Sequence, residues 1–147
     1  GRGAVTQTYD NYSSANGWST QDIEYDAMGR AYRTSNPYYS SGYTNNGVNT
    51  SGPWTTRTFD NLGRVTRVDR PSGDAANPTS AYATTDYAGI FTTVTDQARK
   101  QRRQKVDALG RVIRLDEPDT NGLGSTNNPN QSTTYDYDVL DNLIHIA

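Results

Sequence analysis

Acid–base, nucleophilic and metal chemistry each require particular residue types at particular spacings, and this chain contains few of them. The single histidine, His145, lies in the alternating run 143–146, where an exposed strand position explains it better than a catalytic role. Zero cysteines exclude thiolate catalysis, disulfides and cysteine metal sites. Segment 117–128 has part of the spacing of a calcium loop, but Glu117 and Asn128 occupy its first and twelfth positions, where Asp and a bidentate Glu are typical. We expect no enzyme activity, no metal and no cofactor.

One basic segment, residues 99–105, is a candidate for nucleic-acid binding. Such a site is normally accompanied by aromatic neighbours and an overall excess of positive charge. This chain has 14 Lys and Arg against 16 Asp and Glu, a net charge of -2. We therefore expect a solvated strand and no nucleic-acid partner. The absence of an apolar run of about 18 residues also predicts no membrane span.

The carboxylates instead recur in a repeated motif of an aromatic or apolar residue, Asp, two variable residues, Gly and Arg. The complete copies contain Tyr25, Asp26, Gly29 and Arg30; Phe59, Asp60, Gly63 and Arg64; and Val106, Asp107, Gly110 and Arg111. Degenerate copies contain Asp86 and Gly89, and Tyr137 and Asp138. The aspartates are 34, 26, 21 and 31 residues apart, so the motif spans most of the chain.

Each motif predicts the turn of a β-hairpin. Asp at the first position of a type I turn can cap the N–H two residues later, and the Gly tolerates the positive φ of the following bulge. We expect turns near 26–29, 60–63, 86–89, 107–110 and 138–141. Because Tyr ends one strand and Arg begins the next, we also expect their side chains to meet across the hairpin, by stacking or cation–π contact.

Short strand-like runs follow four of the motifs, at 65–69, 91–95, 112–116 and 143–146. The chain has 11 Tyr but only 32% hydrophobic residues and a mean hydropathy of -0.91. Tyr, Thr and Val favour half-buried sheet surfaces, so the composition indicates β-structure without a thick core. Disorder is the competing interpretation, but the low net charge and regular aromatic spacing count against it.

These residues resemble the YD-repeat of the Rhs family, which is also found in the teneurins and in the C components of insecticidal Tc toxin complexes. Segments 92–96, 107–111, 116–119 and 135–138, together with Arg102-Arg103, follow one another as in bacterial Rhs proteins. The resemblance implies a sheet of hairpins that winds into a spiral and, in larger members, closes a hollow shell. The self-cleaving aspartate motif of the Rhs core terminus is missing, so we expect no autoproteolysis.

The predicted fold is all-β: successive antiparallel β-hairpins in a continuous curved or spiralling sheet with long polar loops, forming one YD-repeat segment over residues 1–147. Residues 34–54 and 119–134 are rich in turn formers and are interpreted as the long loops. Within the first loop, Tyr38, Tyr39, Tyr43 and Trp54 could form an aromatic platform for a glycan. The alternative is that these rings pack their own loop against the sheet.

The sequence favours a structural function, as a wall segment of a β shell or scaffold. We expect the parent to be a secreted or cell-surface protein of a bacterium. Two alternatives stay open: a subunit of a self-assembling extracellular fibre formed by edge-strand pairing, and a carbohydrate-binding or adhesion module. The corresponding partners are other parts of a parent chain, copies of the chain itself, or glycans. Gly1-Arg2 matches the end of the motif, which suggests a piece of a longer chain.

Overall fold

The computed structural model describes residues 2–10, 17–40, 53–71 and 81–147. The chain divides into two compact units, Gly1–Tyr82 and Ala83–Ala147. Every element within the described residues is a β-strand, a turn or a short bridge.

The first unit is an antiparallel sheet of hairpins. Its strands are β1 (Arg2–Asp10), β2 (Gly17–Tyr25), β3 (Ala31–Ser35), β4 (Tyr38–Ser40), β5 (Trp54–Phe59) and β6 (Val65–Asp69). Strands β1, β2, β3, β5 and β6 are neighbours in that order, whereas β4 pairs with the other end of β2. One-residue register shifts interrupt the β2–β3 and β5–β6 ladders where each enters its turn.

The second unit is built in the same way. Its strands are β7 (Tyr82–Ala88, whose first residue belongs to the first unit), β8 (Phe91–Thr95), β9 (Gln101–Val106), β10 (Val112–Glu117), β11 (Gln131–Tyr137) and β12 (Leu143–Ile146). From β8 onward, each strand pairs antiparallel with the one before it in the sequence. Successive connections therefore alternate between the two ends of the strands.

The predicted all-β fold of successive antiparallel hairpins is confirmed. The four strand-like runs after the motifs coincide with β6, β8, β10 and β12, with β10 extending one residue further. The predicted loops are shorter than expected. Part of residues 34–54 forms β4, and residues 131–134 belong to β11 because they form the ladder with β10, with the β-branched Thr133 and Thr134 nearest the centre of the strand.

Polar side chains take most of the buried positions. Among the described residues, Leu123 is the buried apolar side chain, at 6% exposure. The buried polar or charged residues are Thr20, Asp22, Ser35, Arg103 and Asp116. Most strand residues are half-buried, which suits a composition rich in Tyr, Thr and Arg, because such side chains cover apolar surface while keeping a polar end in water.

Candidate functional site

The turn at Asp107 shows how the repeated motif folds. Its Oδ1 accepts hydrogen bonds from the backbone N–H groups of Leu109, at 2.9 Å, and Arg111, at 3.0 Å. Its Oδ2 accepts a third from Arg111 Nε at 2.7 Å. The Gly110 N–H donates to the Asp107 carbonyl at 3.0 Å, and Gly110 has a φ of 84°. The carboxylate thus caps the turn and holds the arginine beside it.

The turns at Asp26 and Asp60 have the same geometry. Arg30 Nε donates to Asp26 Oδ2 and Arg64 Nε to Asp60 Oδ2, both at 2.7 Å. The Oδ1 atom of each aspartate caps two backbone N–H groups at 2.9 Å. In all three complete copies, the aspartate and arginine of the motif form an ion pair within the turn.

The turn at Asp138 keeps this backbone despite two substitutions. Asp141 replaces the glycine and adopts a φ of 71°, a conformation that Asp and Asn tolerate better than most residues. Asn142 replaces the arginine, and its Nδ2 donates to Asp138 Oδ2 at 3.0 Å. Tyr137, which precedes Asp138, ends β11.

A further turn of this kind, not found from the sequence, lies at Asp96. The Arg99 N–H donates to the Asp96 carbonyl at 3.1 Å, and the Lys100 N–H donates to Asp96 Oδ1 at 2.8 Å. Arg99 occupies the glycine position with a φ of 64°. The signal that could have revealed this turn is an Asp directly after the strand run 91–95, followed four residues later by a basic residue.

The structure places Asp86 differently from the sequence interpretation. Asp86 lies within β7, opposite Thr93, and does not begin a turn. The hairpin closes at the Ala88–Phe91 pair, which leaves the two-residue connection Gly89-Ile90. Gly89 has a φ of 62°, as the first central residue of a type II′ hairpin turn requires, so the glycine sets the turn without a capping aspartate.

The capping hydrogen bonds stabilise the charged form of the turn aspartates. The backbone N–H of Arg30 is the main cause of the lowered pKa of Asp26. At Asp107, desolvation raises the pKa, but hydrogen bonds from the Arg111 side chain and backbone outweigh it and lower the pKa overall. The Asn142 side chain has the largest effect in lowering the pKa of Asp138. These carboxylates are therefore ionised acceptors within the turns.

In two of the three complete copies, the arginine of the motif contacts the aromatic ring of the next hairpin. The Arg30 guanidinium lies 4.4 Å from the centre of the Phe59 ring, and that of Arg111 lies 4.8 Å from the centre of the Tyr137 ring. The cation–π contact expected across one hairpin thus joins two neighbouring hairpins instead. Tyr137 also donates its hydroxyl to the Val112 carbonyl at 3.0 Å, between the same two hairpins.

Strand register explains this arrangement. Arg33 is opposite Thr56, so counting three residues toward the turn places Arg30 opposite Phe59. The β10–β11 register places Arg111 opposite Tyr137 by the same count. The side chain of Arg30 turns back to its own Asp26, which orients the guanidinium over the neighbouring ring. At the start of the chain, the backbone of Arg2 is likewise opposite Tyr25.

A second polar cluster links β2, β3 and β5. Glu24 accepts hydrogen bonds from the Tyr32 hydroxyl and from Arg33, whose Nη2 lies 2.8 Å from Glu24 Oε1. The Arg33 and Tyr32 hydrogen bonds lower the pKa of Glu24 to about 2. The Arg33 guanidinium also lies 4.4 Å from the centre of the Trp54 ring. Ion pairing and ring stacking are thus combined on one arginine.

The aromatic residues considered for glycan binding have different environments. Tyr38 is half-buried and donates its hydroxyl to Asp22 Oδ2 at 3.0 Å, while Trp54 is half-buried against Arg33. Tyr39 is 67% exposed. Tyr43 lies outside the described residues. Of the three rings that the structure describes, one therefore presents most of its surface to solvent.

A buried ion cluster in the second unit was missed by the sequence interpretation. Arg103 Nε donates to Asp116 Oδ2 at 2.7 Å, and the side chains are 9% and 1% exposed. Arg114 Nε lies 2.7 Å from Asp116 Oδ1, at an angle poor for a hydrogen bond, while its Nη2 donates to Asp116 Oδ2 at 3.2 Å. The basic run is therefore divided: Arg103 is buried, whereas Arg102 is 71% exposed and pairs with Glu117.

The same two arginines hold the connection between β10 and β11. Arg103 donates to the carbonyls of Gly124 and Ser125, with Nη2 2.8 Å from the Ser125 oxygen. Arg114 Nη2 donates to the Thr126 carbonyl at 2.6 Å. These bonds tether a connection that forms isolated bridges but no strand, and that contains the buried Leu123.

The other residues considered for chemistry are in ordinary surroundings. His145 is exposed, with Nδ1 3.1 Å from Asp136 Oδ2. Asp119 Oδ1 accepts hydrogen bonds from the Asn121 backbone and the Asn130 side chain. Within the described parts of the chain, no three His, Cys, Asp or Glu side chains are grouped so that they could hold a metal ion. The same residues include no helix long and apolar enough to cross a membrane.

Comparison with solved structures shows the same fold in TcdB2-TccC3. The crystal structure of TcdB2-TccC3 matches with a TM-score of 0.67 and 20% sequence identity. Those of TcdB2-TccC3-Cdc42 and TcdB2-TccC3-TEV match with TM-scores of 0.65 and 0.59 and identities of 19% and 17%. In all three, the match covers 98% of this chain and 8% of the other.

No protein-family model matches the chain, and no curated protein matches it. The chain is thus similar in fold to a short segment of a much longer protein. At these identities, the similarity extends to the hairpin array alone.

Proposed function

We propose that the chain is a non-enzymatic structural segment of a secreted or cell-surface YD-repeat protein and forms part of the wall of a β shell. The observation that carries the proposal is the contact of a motif arginine with the ring of the next hairpin. It joins hairpins in series, as a wall requires. The similarity in fold to a segment of TcdB2-TccC3 supports the same role.

The non-enzymatic part of the proposal is supported by how the motif carboxylates are used. Asp26, Asp60 and Asp107 each accept two backbone hydrogen bonds and one from an arginine. An aspartate held in this way is an ionised structural acceptor and is poorly suited to donate or remove a proton at neutral pH. The partners of the segment would be the other parts of its parent chain.

The test uses the full-length protein that carries this sequence. An Arg30→Ala/Arg111→Ala variant removes the contacts with Phe59 and Tyr137, and we expect added protease to cut the variant between hairpins while the unaltered protein resists. An Arg99→Ala/Arg102→Ala variant is the control, because these exposed side chains lie at the opposite end of the strands from Arg111. Equal protease resistance of all three proteins would contradict the wall function.

A fibre subunit is a second candidate, supported by β12. Leu143, Ile144 and Ile146 are 47%, 64% and 57% exposed, so this strand presents apolar side chains to solvent on either side of the exposed His145. Such a strand is a template for pairing with another chain. Electron microscopy of the purified chain would show filaments that Ile144→Lys abolishes, whereas an absence of filaments would reject this candidate.

The adhesion alternative is supported by the exposed ring of Tyr39. If the ring binds a glycan, Tyr39→Ala abolishes retention on a glycan array and leaves the β-sheet signal in circular dichroism unchanged. Retention that is equal for the variant and the unaltered chain would remove this alternative.

A further inference from the structure

A cleft of about 620 Å³ lies in the second unit, at the end of the strands that contains the Asp96 turn. Its floor is a row of side chains from β8, β9, β10 and β11, namely Val94, Arg102, Glu117 and Gln131. Val94 is opposite Arg102, Arg102 pairs with Glu117, and Glu117 is opposite Gln131, so the row lies on one face of the sheet. The volume is within the range of about 300–1,000 Å³ that is usual for ligand sites. The cleft is therefore large enough to hold a small molecule.

The cleft is lined by equal numbers of positive and negative side chains. These are two cations and two carboxylates, from Lys100, Arg102, Asp96 and Glu117. The next charged residues along the chain, Arg99 and Asp119, add one charge of each sign. A ligand with one net charge would meet as much repulsion as attraction here, whereas a ligand that carries both charges can place each beside its opposite. The charge pattern therefore favours a zwitterion.

The charged groups of the cleft are accessible to a ligand. Lys100 occupies the position of the motif arginine in the Asp96 turn, but within the described part of the chain its ammonium makes no ion pair. The arginines of the three complete copies bind their aspartates through Nε–H, a group that lysine lacks. The Arg102–Glu117 pair is 71% and 44% exposed, so water screens it. A ligand can therefore bind these groups without breaking a strong ion pair.

The positions of the charges indicate the length of the ligand. Lys100 and Arg102 are two residues apart at the start of β9, and both line the cleft, so a carboxylate can bind between them. Glu117 is on the neighbouring strand β10, one strand spacing of about 4.8 Å away, where it can accept hydrogen bonds from an ammonium. The two charges of a dipeptide are on Cα atoms about 3.8 Å apart, whereas an amino acid carries both on one Cα. A dipeptide fits this separation better.

We propose that this cleft binds a zwitterionic dipeptide, with its carboxylate between Lys100 and Arg102 and its ammonium at Glu117. Val94, which is 43% exposed, and the ring of Pro118 provide apolar surface for aliphatic side chains of the ligand. The side-chain amide of Gln131, opposite Glu117, can both donate a hydrogen bond to the peptide group and accept one from it. The proposal adds a ligand site to the structural function and does not depend on it.

NMR titration of the isotope-labelled 147-residue chain with leucylleucine tests the proposal. We expect a dissociation constant on the order of 1 mM, because the cleft is exposed, and chemical-shift changes at the backbone amides of residues 94–102 and 117–131. Acetylation of the amino terminus or amidation of the carboxyl terminus removes one charge of the peptide. Each change should weaken binding about five-fold, as expected for loss of one exposed ion pair. The peptide that is blocked at both ends should bind most weakly.

Variants of the chain assign each charge of the ligand to its partner. Lys100→Ala should weaken binding of leucylleucine about five-fold but leave binding of its amide unchanged, and Glu117→Gln should act in the same way with the acetylated peptide. Arg99→Ala is the matched control, because it removes an equal charge from the same turn but outside the lining of the cleft. Equal binding of the doubly blocked peptide overturns the proposal, as does a folded chain whose spectrum does not change up to about 20 mM leucylleucine. Neither result affects the protease test of the wall function.

Discussion

Removing Asp116 should destabilise the second unit far more than removing its exposed neighbours. In Asp116→Ala, Arg103 and Arg114 lose their shared carboxylate, and their side chains are only 9% and 16% exposed. Loss of one partner from a buried ion pair typically costs 3–5 kcal/mol, because the remaining charge is buried without compensation. We expect about 3 kcal/mol, at the low end, since loop carbonyls still accept hydrogen bonds from both guanidinium groups.

The neighbouring ion pair supplies the control. Arg102 and Glu117 lie on the same two strands, 3.2 Å apart, but are 71% and 44% exposed. Exposed pairs contribute at most about 1 kcal/mol, so Arg102→Ala should have a small effect. Asp116→Asn keeps the shape of the side chain but removes its charge. It should cause most of the stability loss seen in Asp116→Ala, because that loss comes from the missing charge.

Urea unfolding followed by circular dichroism measures the difference. With a slope of about 2 kcal/mol per M, a loss of about 3 kcal/mol lowers the midpoint by about 1.5 M. Hydrogen exchange should also show faster exchange over residues 118–130, which both arginines hold. If Asp116→Ala costs no more than Arg102→Ala, the buried cluster does not stabilise this unit and the reasoning is refuted.

Three further predictions concern the turns and their charges. Arg111→Lys should lower the unfolding midpoint nearly as much as Arg111→Ala, because lysine keeps the charge but loses the Nε hydrogen bond to Asp107 and the planar stacking on Tyr137. A double-mutant cycle with Tyr137→Leu should show coupling between the two residues, and additive effects would contradict the contact. Arg99→Gly should raise the free energy of unfolding by up to about 1 kcal/mol in thermal unfolding, because Arg99 has a φ of 64° that glycine adopts without strain. Asp141→Gly should raise it less, because this change also removes the ion pair with Arg111. The free energy of unfolding should be constant above about pH 5 and fall as the pH drops below about 4 toward 2, because the folded pKa of Glu24 is about 2 and those of the turn aspartates are lowered. Glu24→Gln should make this fall smaller, and a pH profile identical to that of the unaltered chain would contradict the role of Glu24.

The sequence was informative wherever the structure depends on local chemistry. Asp26, Asp60 and Asp107 could be placed in turns because an aspartate caps its own turn and a glycine three residues later accepts positive φ. The strands after the motifs followed from their β-branched residues, and the register shifts at the turns agree with the expected bulges.

What could not be predicted depends on pairing between distant segments. The turn at Asp96 could not be predicted because Arg99 occupies the position at which the pattern requires glycine. Backbone hydrogen bonds at the end of the β8–β9 ladder stabilise Arg99 in this conformation. The partner of Arg30 is set by the β3–β5 register, and this register depends on a connection whose length no local motif determines. Burial of Arg103 likewise depends on its position opposite Asp116 in the β9–β10 ladder. The run of positive charges around Arg103 gives no indication of this pairing.

The position of Arg30 and Arg111 between hairpins has a consequence for how the array responds to a substitution. Arg30 belongs to one hairpin through Asp26 and to the next through Phe59, so its replacement weakens two repeats, whereas a change at Met28 affects one turn. Contacts of this kind make stability a sum of single-hairpin terms and nearest-neighbour terms. The cooperative unit is then longer than a hairpin, and the effect of a substitution should decrease with the number of hairpins that separate two sites along the array.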